Sequence, residues 1–413
     1  MLGFRKKSLI GLDIDTYAVR MIQLRPCEGA SSPAAGAGGT PSRYAITGAC
    51  IQEILPWGDS PELRRMHTVC AIQQGLSGGA IEGGLAVCGL RGREVVVRGF
   101  EFPALPSEEI EGAVALEASQ ICPFSTDEST LDYQVTSSDG KKTRGFWVAA
   151  NNGLIHTTRE LVHEAGLHCS LIDVDGLALL NCLANMPDGG GEADDGVIVP
   201  PPTITARGEA AILDVGGACT TVAIRDQAGR PFVRDIASGS DDILRRIAAD
   251  TGVSLEVART ALLNRGWEGA PNAESRVGEP RQSVVATLQA DTPDQERAHG
   301  VLSWETPALP EDEDRLWRGL ERACAELIEA IATTLRYHAA QQSCERVERL
   351  LVCGALAAVD EFIELLRAKL YIEVASWNPL AALPCEAGAE CQSLVRAAGA
   401  TLVVAAGLAM RQL

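Results

Sequence analysis

Aromatic side chains are scarce in this sequence, at 4% of 413 residues. Any core must therefore be built from Leu, Val, Ile and Ala. Hydrophobic residues still reach 46%, enough for a sizeable interior. Histidine is also rare, six in all, and no Cys-x-x-Cys occurs among the 13 cysteines. Their odd count and irregular spacing argue against a zinc site or a disulfide framework. Cys88 and Cys353 lie in apolar, strand-like runs, as reduced thiols do, and no secretory apolar region follows Met1, so a cytoplasmic chain is expected. Basic residues are outnumbered, 36 Lys and Arg against 55 Asp and Glu, for a formal charge of -19. Such a surface repels phosphate backbones and excludes sequence-independent nucleic-acid binding. One small basic cluster, Arg5 to Lys7, could touch a membrane surface, and reads more simply as a solvated terminus. The longest apolar stretch, Ala397 to Met410, falls short of the ~20 residues a spanning helix needs and reads as one buried helix. No Gly-x-x-x-x-Gly-Lys-Ser/Thr occurs, which excludes a P-loop, and the glycines from Gly78 to Gly84 make no clean dinucleotide fingerprint.

What is present is an internal repeat. Leu9–Asp15 and Tyr17–Leu24 read as two strands joined by a tight turn, and Arg43–Ile54 as a third. The pattern restarts at Ala211–Gly217 and Thr220–Arg225, with a third strand at Pro231–Ala237. Each copy carries an aspartate, Asp13 or Asp214, at the end of its first strand. The break between the copies is rich in Gly and Pro, which places a linker at 187–207. Domain I is then 1–186 and domain II 208–413. Residues 267–314 are polar, acid-rich and aperiodic, which suggests a disordered insertion. A helix is expected at 254–264 and a long amphipathic helix at 314–341.

Two facing hairpins of this kind have a chemical use. Tight turns present backbone N–H groups to phosphate, and glycine lets the backbone come close. A strand-end carboxylate holds the water shell of Mg²⁺, which favours one or two carboxylates plus substrate phosphates. Candidate contacts are Asp13, Asp15 and Thr16 in the first turn and Asp214, Gly216 and Gly217 in the second, with Asp13 and Asp214 on the metal. A third strand end, Leu350 to Leu356, has small residues at Gly354 and Ala355, where an adenine ring could lie on the backbone. Asp-x-Gly after a strand is also an ordinary hairpin turn; two copies with a third matching element favour the nucleotide reading.

Further segments follow in a telling order. They are Phe102-Pro103-Ala104-Leu105-Pro106-Ser107-Glu108-Glu109-Ile110, then Ile121-Cys122-Pro123-Phe124, Leu131-Asp132-Tyr133-Gln134-Val135, Ala165-Gly166-Leu167 and finally Ala405 to Arg411. Together with the hairpins they resemble the superfamily of actin, heat-shock ATPases and sugar kinases. Within it they are most similar to the type IV pilus assembly PilM family, relatives of the division protein FtsA. The resemblance implies an α/β, actin-like (ribonuclease H-like, duplicated) two-domain fold with a small inserted α+β subdomain at about 103–175. It implies ATP and Mg²⁺ as ligands and a scaffold on the cytoplasmic face of the inner membrane. The implied partner is a PilN-like bitopic protein, captured by its cytoplasmic N-terminal segment, and relatives suggest ring or filament self-association.

Asp15 stands where that family's first turn carries glycine, so weakened nucleotide binding and slow or absent hydrolysis are expected. Two alternatives remain. One is a small-molecule kinase of the superfamily, for which Asp173 or Asp175 would be the base. The other is an FtsA-like filament protein, against which the lack of an amphipathic tail after Leu413 counts.

Overall fold

The computed structural model describes residues 9–27, 43–186, 209–226, 229–252, 254–255, 257–259, 310–341 and 344–411. The expected linker 187–207 and most of the expected helix 254–264 lie outside these residues. So does the acidic insertion, apart from 310–314, which forms the first turn of a helix at Pro310–Ala339.

The repeat is a repeat of sheet topology. In the first half, β1 (Ile10–Ile14), β2 (Ala18–Pro26), β3 (Tyr44–Glu53), β4 (Leu85–Leu90) and β8 (His168–Val174) form one sheet in the order β3-β2-β1-β4-β8. In the second half, β9 (Glu209–Val215), β10 (Thr220–Arg225), β11 (Pro231–Ile236), β12 (Val347–Gly354) and β13 (Glu373–Ser376) take the equivalent order β11-β10-β9-β12-β13. In each sheet the first three strands are antiparallel and the last two run parallel to the first. The central strands are buried on both faces, as their unbroken apolar runs require.

A third sheet, β5-β7-β6, is built from Val95–Pro103, Lys142–Asn151 and Ser129–Ser138. Helix α2 (Ser107–Ile121) packs on it through Ile110, Val114 and Ala118, beside the fully buried Trp147. This inserted unit runs from 95 to 151, not from 103 to 175. Its β5 pairs along its whole length with β7, whereas His168–Val174 pairs with β4 in the main sheet.

The remaining helices are α1 (Pro61–Ser77), α3 (Asn152–Glu164), α4 (Asp175–Asn185), α5 (Ser240–Thr251), α6 (Pro310–Ala339), α7 (Asp360–Leu370), α8 (Ala389–Ala398) and α9 (Val403–Ala409). The apolar stretch read as one helix, Ala397 to Met410, is broken by a 3-10 turn at Gly399–Thr401. The short α9 enters the interior at 104° to the segment before it. Among the described residues no single helix is long and apolar enough to cross a membrane.

The division at 187–207 does not separate two cores. Helix α9 lies on the first sheet: a Cβ on Gly11 would sit 1.8 Å from the Ala405 carbonyl oxygen, and one on Gly407 would sit 1.9 Å from that of Ala178. Ile46 donates to the Pro384 carbonyl and Glu386 to the Ile46 carbonyl, so residues 384–386 also dock on β3. Ile22 and Val87 of the first sheet, Ile212 and Leu351 of the second, and Leu402–Met410 share one cluster. The C-terminal segment, expected within domain II, therefore completes the first lobe.

Candidate functional site

The two hairpin turns face each other where the sheets meet. Antiparallel pairing sets Arg20 on β2 directly opposite Asp13 on β1. Arg20 Nη1 reaches Asp13 Oδ2 at 3.0 Å and Asp15 Oδ2 at 3.2 Å. On the other side, Gly216 donates to the Cys219 carbonyl to close the second turn. The N-terminus of α5 caps that turn, with Ser240 and Asp241 amides donating to the Gly216 and Gly217 carbonyls.

Arg91 occupies the centre. It follows β4 directly and is nearly buried, with its side chain 13% exposed. Its Nη2 donates to Asp13, its Nε reaches Asp175 Oδ2 at 2.7 Å, and its Nη1 reaches Asp214 Oδ2 at 3.2 Å. One planar guanidinium, whose donors point along fixed directions, thus ties both strand-end aspartates to a third carboxylate. The next residue, Gly92, donates its amide to Asp235 Oδ2 at 2.6 Å, and Asp235 also accepts from Thr221.

Asp15 completes the arrangement. Its Oδ1 accepts from its neighbour Thr16 at 2.7 Å and from the Gly217 amide of the opposite turn at 3.1 Å. Burial by itself would raise this carboxyl, but Arg91, Arg20 and the two amides outweigh it and hold Asp15 well below the ordinary range. Two cations face four buried carboxylates, so the cluster favours retained protons. Burial pushes Asp214 up to about 6 despite Arg91. Burial also raises Asp175, reinforced by Asp13 and Asp214.

All the sequence candidates except the adenine turn meet here. Gly354 lies at its edge, at φ +83°, where a Cβ would fall 2.6 Å from Asp214 Oδ1, and Ala355 donates to the Val215 carbonyl. The sequence reading missed Arg20 and Arg91. Arg20 left a trace, a lone charge inside the apolar run from Tyr17 to Leu24, which signals a buried ion pair. Arg91 left none, since an arginine after a strand is ordinarily a solvated turn residue.

ATP with Mg²⁺, the expected occupant, does not fit these turns as they stand. A phosphate needs the Gly217 amide, which Asp15 holds. A hydrated Mg²⁺ needs Asp13 and Asp214, which Arg91 bridges. The gap is also narrow: a Cβ on Gly217 would lie 2.5 Å from the Thr16 side chain. Both kinase-base candidates are engaged as well, Asp173 by Arg411 through two hydrogen bonds and Asp175 by Arg91. A cavity of about 640 Å³ lies beside the cluster, lined in part by Thr16, Arg91, Arg93, Leu161, Ala218 and Arg245.

Duplicated sheets of this order, joined at facing hairpins and carrying a small inserted α+β unit, define an actin-like ATPase-fold protein. The family model of the type IV pilus assembly protein PilM matches residues 82–288, half of the chain. The chain belongs to that family. Among solved structures, the PilM-PilN type IV pilus biogenesis complex matches over 98% of this chain and 98% of that one, with a TM-score of 0.66 at 18% identity. Ethanolamine utilization protein EutJ from Carboxydothermus hydrogenoformans gives a TM-score of 0.48 at 10% identity over 97% of this chain and 89% of that one. The nucleotide-free diol dehydratase-reactivating factor gives 0.47 at 9% identity, over 97% and 98%.

Proposed function

We propose that this chain is a docking scaffold at the cytoplasmic face of the inner membrane. In this reading it holds the cytoplasmic N-terminal segment of a PilN-like bitopic partner within the pilus assembly complex. The observation that carries the reading is the inserted unit. Its strand β6 is an edge, paired only with β7 among the described residues, and Val135 on it is 38% exposed. On α2 of the same unit Leu116 is 63% exposed. An edge strand offers a row of backbone donors and acceptors to an extended peptide, and the unit's exposed apolar side chains supply contact area. The cavity of about 640 Å³, lined by Leu154, Thr157, Thr158 and Leu161 of α3, is the alternative seat, for a segment that fills a pocket instead of adding a strand.

The test is calorimetric titration of the full chain with a synthetic peptide of the partner's N-terminal segment. The edge-strand seat predicts saturable binding that Val135→Lys or Leu116→Glu weakens by roughly tenfold. Binding untouched by both but lost in Arg93→Glu favours the cavity. No saturable binding to the wild type overturns the docking reading. A kinase reading is not supported, because neither Asp173 nor Asp175 is available to take a proton from a substrate hydroxyl.

A further inference from the structure

We infer that the cleft is locked by its own side chains, Arg91 standing in the position of the metal ion and Asp15 in that of a phosphate, so that the lobes are held together without nucleotide. Three separate geometric features lead here. The first is charge placement. The expected metal ion would sit between Asp13 and Asp214, and here the Arg91 guanidinium bonds to both. The second is anion placement. The second-turn amide that would meet a phosphate oxygen instead donates to a carboxylate of the first turn, Asp15 Oδ1, at 3.1 Å. The third is the fit of the walls, since Thr16 lies against Gly217 too closely to admit even one more carbon between them.

Each of the two residues supports the other. Asp15 alone would set a fifth carboxylate beside Asp13, Asp175, Asp214 and Asp235 with little compensation. Arg91 alone would block the metal site. Together they form a connected set of contacts that spans the lobes: the Gly217 amide donating to Asp15, the Arg91–Asp214 ion pair and the Gly92 amide donating to Asp235. A further bridge closes the rim, where Arg259 meets Glu53 at 2.7 Å and lies 4.5 Å above the Tyr17 ring. The Arg91–Gly92 turn also leads directly into β5, the first strand of the inserted unit. The lock therefore fixes the entry to the surface proposed to dock the partner. In that last respect the inference rests on the docking reading; the lock itself does not.

The test uses the full chain and MgATP. The expected result is no saturable heat with millimolar MgATP and no change in melting temperature. In Asp15→Gly the Gly217 amide loses its acceptor, and hydrogen exchange in the 214–219 turn rises roughly tenfold. Should that variant fail to fold, Asp15→Ala also removes the acceptor, keeps a Cβ at the position and reports the same exchange. Saturable micromolar binding of MgATP to the wild type, abolished by Asp214→Ala, overturns the inference. So does unchanged exchange in a folded Asp15 variant. Partner-peptide affinity is measured with and without MgATP in the same series. Equal affinities support the lock, nucleotide-dependent affinity sinks it, and absence of peptide binding counts against the docking reading alone.

Discussion

Individual residues here are constrained by how closely the two turns approach. Gly354 combines a left-handed φ of +83° with a Cβ position 2.6 Å from both Asp214 Oδ1 and the Val215 carbonyl oxygen. Gly354→Ala is expected to cost about 1–3 kcal/mol, read from the midpoint of urea unfolding with an unchanged slope. Asp214 sets a pH dependence. It is surrounded by Arg91 and Arg20, by Asp13 and Asp15, and by the Cys353 thiol at 3.7 Å. Its carboxyl is raised by burial from 3.8 to about 6. Between those values the native form keeps a proton that the unfolded chain has released, so stability falls as pH rises through the window, by about 3 kcal/mol at most. Asp15 is shifted the other way, and its contribution is lost only at lower pH, as the carboxylate becomes protonated. The melting temperature should be higher at about pH 5 than at about pH 7.5, and Asp214→Asn should narrow that difference. An equal difference in the mutant would remove Asp214 from the explanation.

At the scale of elements, strands and hairpins were legible because their apolar runs and turn residues are local signals. The expected pairs at residues 9–24 and 211–225 are observed with their turns in place. The C-terminal helix was not legible as it is. Ala397 to Met410 is apolar but for Thr401, and periodicity cannot locate a break in a run that has no polar face. The break comes from packing: Asn378 Nδ2 holds the Val395 and Arg396 carbonyls, and its Oδ1 crowds the Gly399 position. Beyond it, α9 needs small partners on β1 and α4. Gly11→Ala would drive a methyl into the Ala405 carbonyl, and a loss of roughly 3 kcal/mol is expected, measurable by calorimetry beside Gly84→Ala, where nothing lies within 4 Å.

At the scale of the whole molecule, the lobes are not separable folding units. Helix α4, from the first half, packs against β10 and β11, while α9, from the second, covers β1, β2 and β4. A chain ending at residue 186 lacks the cover for Ile22 and Val87 and is expected to give no cooperative melt on its own. A chain ending at residue 401 should be recovered insoluble, because removing Leu402–Met410 opens the shared cluster to water. A cooperative calorimetric transition from either truncation would show that the first lobe closes its core without the C-terminal segment.

The sequence by itself determined the duplicated α/β architecture, the family, the two strand-end turns and the expectation that Asp15 disturbs one of them. These follow from local apolar patterning, from glycine and proline placement, and from the order of segments along the chain. Only the tertiary structure decided what the disturbance means. Asp15 reaches an amide in the other turn, and Arg91 reaches aspartates on three separate elements. A charge in a turn, as Asp15 and Arg91 are, is indistinguishable along the chain from a solvated one. What makes these charges a lock is burial beside partners brought in from distant segments, and that exists only once both lobes and the returning C-terminal helix are packed.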